Sequence, residues 1–362
     1  MLRDLYIFEI IRSSCSEIME VLIDCYFDRL FSEMERSCLA SRYKRRELVN
    51  YFTDVINSCA EAEDLDKQDV CKRIVLSALR YHNITMMENG SVCLLGKFHN
   101  VLYVAAKLCY DWELNNNEIV SRLLNDIFYC EKTFERLFIG AIFGTRVTHF
   151  LSGWKCDFDD RAENIRALVY FLNHAISGQL EYRCESSPIK RRFIDVPMES
   201  YGQVLPLSLA IQHGAPDILL IMLRYGASIE SDKLAPSPIE IILSKLSEFE
   251  AQPGQKEVVY PEHLVTCLRI LLRTVATACI RIPDHIAHLS GILSVSLYEQ
   301  YPNLANQNLI PPERSGIRPA ELRHLCRCRI RETLHSNWAL PHGIKKLQIP
   351  ESLRDYLDLL QD

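Results

Sequence analysis

The sequence predicts an all-α chain built as a helical N-terminal cap, an α-solenoid of stacked helix pairs and a small helical module at its C-terminal end. Three observations carry that expectation. Apolar residues recur at three- and four-residue spacing along most of the chain, the period of one helix face. Between Gly202 and Glu230, two short apolar stretches are closed by His213-Gly214 and Tyr225-Gly226, as two antiparallel helices would be. A narrow apolar stripe returns near the end, at Leu322, Cys326 and Ile330. With 362 residues and 48% hydrophobic content, the chain can bury sizeable cores in one or two domains.

Residues 1–90 read as several helices: one stripe of Ile7, Ile10, Ile11 and Cys15, another of Leu22, Tyr26, Leu30 and Phe31, and a third of Leu48, Phe52, Val55, Ile56 and Cys59. Their economical role is to shield the first unit of the stack from water. The basic cluster Arg42, Lys44, Arg45 and Arg46 is read as solvated surface.

Residues 91–280 are expected to hold three to five stacked helix pairs. The upstream ones are poorly spelled: His99–Ala106 with Ile119–Leu124, then Phe134–Phe143 with Asn164–Ala175. In the clearest unit, 202–230, Leu205-Pro-Leu-Ser208 opens an apolar helix through Leu209 and Ala210, and His213-Gly214 ends it. Asp217 starts a second through Ile218, Leu219, Ile221, Met222 and Leu223, with Gly226 placed for a left-handed C-terminal turn. Ser237-Pro-Ile-Glu240 begins a further copy, Pro238 lying 32 positions after Pro206. The stretch 249–261, with Gln252-Pro-Gly-Gln255, departs from repeat length and reads as a surface insertion before a helix through Leu264, Leu268, Leu271 and Leu272. Leu205, Pro206, Leu207, Ala210, Gly214 and Gly226 resemble the ankyrin-repeat signature Thr-Pro-Leu-His-x-Ala and its punctuation, at close to its 33-residue period. The threonine and histidine are missing, so the turn must be held by stacking on neighbours. A single repeat cannot cover its own apolar faces, which is why neighbours are expected.

After a connecting segment, 281–313, the module at 314–362 opens with Pro319 and Glu321, residues suited to the first turn of a helix. Leu322, Leu325, Cys326 and Ile330 share a face, with Arg323, Arg327, Arg329 and Arg331 around much of the rest. So short a helix gains its stability mostly by packing, and the stripe therefore calls for a partner. Pro341 and Gly343 interrupt the pattern, and Pro350 can open a second helix through Leu353, Tyr356, Leu357 and Leu360.

This segment resembles a SOCS box, the C-terminal module through which substrate receptors join cullin-RING ubiquitin ligases. The resemblance rests on Leu322, Leu325, Cys326, Arg327 and Ile330, and on the run Leu347-Gln-Ile-Pro350 followed by Leu353, Tyr356 and Leu357. It implies that Leu322, Leu325, Cys326 and Ile330 enter Elongin C, and that Leu347, Ile349, Pro350, Leu353, Tyr356 and Leu357 contact a cullin, in most such proteins cullin 5. Gln348 stands where the family has its first proline, which leaves the choice of cullin open. A buried thiol fits where a larger side chain would overpack.

Taken together, box and repeat resemble the ankyrin-repeat and SOCS-box proteins. The implied function is that of a non-catalytic adaptor holding a protein substrate on its repeats while the tail grips Elongin B, Elongin C and a cullin-RING assembly. The alternative is a helical-repeat scaffold or binding module whose tail packs on its own repeats and recruits no ligase. Substrate contacts are sought near Tyr201–Gln203 and Ser231–Leu234, without any consensus that names the substrate.

Other functions find less support. A net charge of −6 argues against nucleic-acid binding by the whole molecule, while the basic stretch Glu313–Lys346, eight Arg or Lys against three Glu, suits an acidic protein partner. No apolar run is long enough to span a membrane, and Met1–Cys15 carries no signal-peptide pattern, so the fourteen cysteines read as reduced thiols of an intracellular protein, cytoplasmic and possibly nuclear. No cofactor is expected, and no metal: there is no Cys-x-x-Cys pair, Cys326 and Cys328 lack partners despite His324 and His335, and His285 with His288 lacks further ligands. There is no Gly-x-Ser-x-Gly elbow or phosphate loop; Asp157, Asp159 and Asp160 read as a helix start and Cys184 as a structural thiol.

Overall fold

The structure is a computed structural model, describing residues 21, 23–27, 29, 38–63, 66–93, 99–152, 158, 160–185, 189–229, 236–250, 258–278, 280–281, 294–295 and 297–362. The fold is all-α, with short antiparallel ribbons as its only strands among these residues. The stripes at Ile7–Cys15 and Leu30–Phe31, the pair His285 and His288, and the turn Ser231–Leu234 lie outside the described residues. Contacts divide the chain into two compact units, Met1–Phe193 and Ile194–Asp362. This differs from the expected divisions at 90 and 313, because the cap helices pack directly on the first helix pair and the terminal module packs on the clear repeats.

In the first unit, α1 (Cys38–Glu63) buries Leu48, Phe52, Val55, Ile56 and Cys59, the stripe read from the sequence. Arg45 of the supposedly solvated cluster is buried instead, because its guanidinium reaches across to donate to the side-chain oxygen of Asn100. Helix α2 (Lys67–Glu88), for which no stripe was singled out, buries Val70, Ile74, Val75, Ala78 and Leu79 and is capped by Asp66, whose carboxylate accepts from the Gln68 N–H. α3 (Asn100–Asp111) is buried along nearly its whole length, and packs against α1, α2 and α4 (Asn117–Glu131). Helices that are apolar all round belong in the middle of a stack.

α5 (Glu135–Ser152) and α6 (Arg161–Ser177) form the next pair, α5 breaking at Gly144, where φ is 75°. Asp160 caps α6 by accepting from the Glu163 N–H at 2.7 Å, the role the sequence suggested for it, while Asp157 and Asp159 lie outside the described residues. A ribbon of β1 (Glu181–Arg183) and β2 (Lys190–Arg192) follows, unanticipated in the sequence, and sets Tyr182 against Phe128 and Phe134. Cys184 is buried, and that burial pushes its thiol up, away from reactivity.

The second unit contains the clear repeat. α7 (Pro206–His213) starts at Pro206 and ends at Gly214, with φ 70°; α8 (Pro216–Arg224) is followed by Gly226 at φ 84°. Leu207, Ala210, Ile218, Leu219, Met222 and Leu223 form the apolar seam. Leu205 gives no side-chain cap, and the missing threonine is replaced by backbone: Met198 donates to the Val204 carbonyl at 2.9 Å, and Gln203 to that of Met198 at 3.0 Å. The turn therefore leaves Gly202 and Gln203 exposed.

α9 (Pro238–Ser247) and α10 (Glu262–Leu272) are the following copy. Here the cap is complete: Ser237 accepts from the Glu240 N–H at 3.2 Å, and the Glu240 carboxylate accepts from the Ser237 N–H. Replacing Ser237 with Ala should lower the unfolding free energy by about 1 kcal/mol; chemical denaturation followed by circular dichroism measures it. β3 (Ile280–Arg281) pairs with β4 (Ser294–Val295), and short α11 (Leu297–Gln300) and α12 (Pro302–Asn306) lead to the terminal helices.

Candidate protein-docking interface

α13 (Leu322–Ser336), α14 (His342–Lys345) and α15 (Glu351–Leu357) form the terminal module. Its small core is Leu340, Ile344 and Leu357, with Leu334, Leu347 and Ile349 packed around it. Tyr356 is also inward, stacked under the guanidinium groups of Arg323 and Arg327 at 3.9 and 4.1 Å. Of the six residues assigned to a cullin, Tyr356 and Leu357 are therefore buried, and Leu347 and Ile349 partly so. Pro350 and Leu353 stand exposed beside Gln348.

The faces of α13 are arranged differently from the expectation. Arginine was expected on the solvated side, yet Arg327 and Arg331 are only 2% and 7% exposed and, with His324 and Cys328, form the inner face. They are inside because backbone carbonyls await them. Arg331 donates to the carbonyls of Leu223 and, at 2.9 Å, Leu357, near the C-terminal ends of α8 and α15. Helix C-terminal ends carry unpaired carbonyls and partial negative charge, so a single guanidinium serves both. Burial pushes the Arg331 guanidinium down to about 10, against the opposing pull of Asp358, so it remains charged at neutral pH.

Neighbouring contacts repeat the pattern. Arg327 donates to the Gln361 carbonyl at 3.1 Å, and Arg224 pairs with Asp358. Arg273 makes two 2.8 Å bonds to the carboxylate of Asp362 and a third to the Leu359 carbonyl. His324 reaches the Val275 carbonyl through Nε2 at 2.6 Å, while Arg327 lies 3.0 Å from its Nδ1. Burial lowers the proton affinity of His324, which fits a neutral ring donating at Nε2 and accepting at Nδ1. At the repeat end, a Cβ on Gly226 would lie 2.7 Å from the His335 ring, so this glycine serves both its φ and the close approach of α13.

With that face spent internally, the opposite one is free. Leu322 is 76% exposed, Leu325 41%, Ile330 37%, and Cys326 is exposed between them. They line one side of α13 over two turns, with Arg329 among them. Apolar side chains in a continuous row on a helix already anchored along its other side make a surface for a groove in another protein.

Residues 318–358 match the SOCS box family model. This part of the chain is similar to a SOCS box. The chain is also 33% identical, over 180 residues, to ankyrin repeat and SOCS box protein 17 of Canis lupus familiaris and of Mus musculus, and 29% identical to the Homo sapiens protein of that name. Each alignment covers 49% of this chain and 57% of the relative, so the chain spans little more than half the length of the curated relatives it matches. No solved structure matches. No helix among the described residues is long and apolar enough to cross a membrane.

The inner residues of the SOCS box are the ones sequence reasoning missed. His324, Arg327, Arg331 and His335 follow the same helical period as the apolar stripe, rotated to the other side. That spacing was present in the sequence, but polarity spoke against burial until the carbonyl partners were in view.

Proposed function

We propose that this protein is a non-catalytic, substrate-recognition adaptor of a ubiquitin ligase. Its SOCS box binds Elongin C, and through it Elongin B, by Leu322, Leu325, Cys326 and Ile330; Pro350 and Leu353 are the accessible part of a contact with a cullin, cullin 5 being the family's usual choice. The repeats hold a protein substrate inside the cell, and the work of the chain is to raise the effective concentration of substrate lysines near a charged conjugating enzyme.

One observation carries this reading: the apolar row of α13 faces outward while the arginine face of the same helix is held by the chain's own repeats. The tail packs on the repeats, as the scaffold alternative required, but the side chains meant for a partner are not the ones used. Cys326→Phe tests it. Because Cys326 is exposed, the free chain should accommodate the ring, whereas a tight partner pocket should not. Co-purification of Elongin B and C with the intact chain, lost in C326F at unchanged melting temperature, is the expected result; full retention by C326F rejects the assignment.

A further inference from the structure

Local spacing in the sequence offers no metal site. Folding brings together four side chains that spacing could not reveal: His82 near the end of α2, Cys93 after it, His99 at the start of α3 and Cys130 near the end of α4. Their ligand atoms all lie within 4.8 Å of one another, His82 and His99 being buried and the two cysteines half-buried. His82 Nε2 is 3.4 Å from Cys93 Sγ and 3.5 Å from Cys130 Sγ, and Cys93 Sγ is 3.6 Å from His99 Nδ1.

Those separations have a geometric meaning. A tetrahedral zinc ion with its usual bond lengths to sulfur and imidazole nitrogen puts those two atoms about 3.5 Å apart along each edge. Pairwise hydrogen bonding accounts for the arrangement less well, since the one available position on His82 Nε2 would have to serve two thiols.

A second feature points the same way from outside the cluster. His99 turns its other nitrogen, Nε2, to the Glu131 carboxylate at 2.6 Å. Glu131 is fixed in turn by the Tyr103 hydroxyl at 2.7 Å and by Arg136 at 3.5 Å. A carboxylate behind the non-ligating nitrogen sets the tautomer and orientation of a metal-binding histidine. Access is open too, through a surface cavity lined by His82, Thr85, Met86, Asn89, Val92 and Cys93.

We infer that His82, Cys93, His99 and Cys130 bind one zinc ion, a structural site that ties α2, α3 and α4 together. Two sulfurs and two imidazoles within this span, filling all four positions of a zinc ion, suit zinc and leave no open position for catalysis. Binding replaces the thiol protons, which go to solvent, and involves no change of oxidation state. Glu131 is a positioning residue.

The test uses the full chain, purified under reducing conditions without chelator. Elemental analysis should find about one zinc per chain, and cobalt(II) added to the stripped protein should give the visible absorption of a tetrahedral thiolate site. Cys130→Ser and His99→Gln should lose both signals, and Cys25→Ser, at an exposed thiol elsewhere, should keep them. Glu131→Gln should bind metal about tenfold or more weakly. A folded wild-type chain that holds no zinc and gives no cobalt spectrum overturns the site, as does a mass two hydrogens light that maps to a Cys93–Cys130 disulfide. None of these readouts involves Elongin, so the result stands apart from the ligase reading.

Discussion

Replacing Arg331 with Ala should loosen the terminal module from the repeats and lower the melting temperature of the unit Ile194–Asp362 by on the order of 6–12 °C, from a loss of about 3 kcal/mol. The guanidinium donates to the carbonyls of Leu223 and Leu357, and its removal leaves the Leu223 carbonyl with only the Gly226 N–H, takes the side-chain donor from that of Leu357 and opens a void between them. Burying a charge is costly in itself, so the substitution does recover some desolvation. The recovery is the smaller effect here because the acceptors stay buried. Arg331→Lys, with a compact ammonium in place of a planar fork, should recover about half of that loss, since an ammonium cannot face both carbonyls equally well. Limited proteolysis gives an independent reading: the segment after Gly316 should be cleaved far faster in R331A than in the wild-type chain. Equal melting temperatures and equal cleavage would show that the arginine face does not hold the box in place.

Leu322→Ala should have the opposite profile, a large loss of binding and almost none of stability. At 76% exposure Leu322 contributes little to the isolated fold, and substitutions of that kind usually stay within about 0.5 kcal/mol. If it fills a pocket of Elongin C, truncation removes a buried side chain at the centre of an interface, worth about 2–4 kcal/mol. That corresponds to about 30- to 700-fold in dissociation constant. Calorimetric titration of the Elongin B/C pair into each chain measures it, and an unchanged affinity would remove Leu322 from the interface. R331A and L322A thus separate the two faces of a single helix, one packed within the chain and the other exposed.

The terminal module shows how far the residues alone could be read. Leu322, Cys326 and Ile330 were recognisable as one face because helical periodicity is a local property, and the run around Pro350 was recognisable as a helix start for the same reason. The identity of the inner face was not, because burial of Arg327 and Arg331 depends on carbonyls supplied by residues as far away as Leu223. Tyr356 and Leu357 follow the same logic: their spacing marks an apolar face, while its use, in the module's own core or against a cullin, is a question of what stands opposite.

In the repeats, Pro206, Gly214, Gly226 and the Ser237–Glu240 cap could be placed in advance, since each acts on its own turn. The extent of each unit could not. Helix α2 escaped notice although its stripe is regular, and α3 was legible only as half of a degenerate pair although it is buried along nearly its whole length.

By itself, then, the order of residues determined the all-helical class, several of the positions where helices begin and end, and the apolar row that α13 turns outward, because those depend on neighbours three or four positions apart. Only the tertiary structure decided which arginines are buried and whether His82, Cys93, His99 and Cys130 meet. Both are encounters between groups distant in sequence, and no local spacing encodes them.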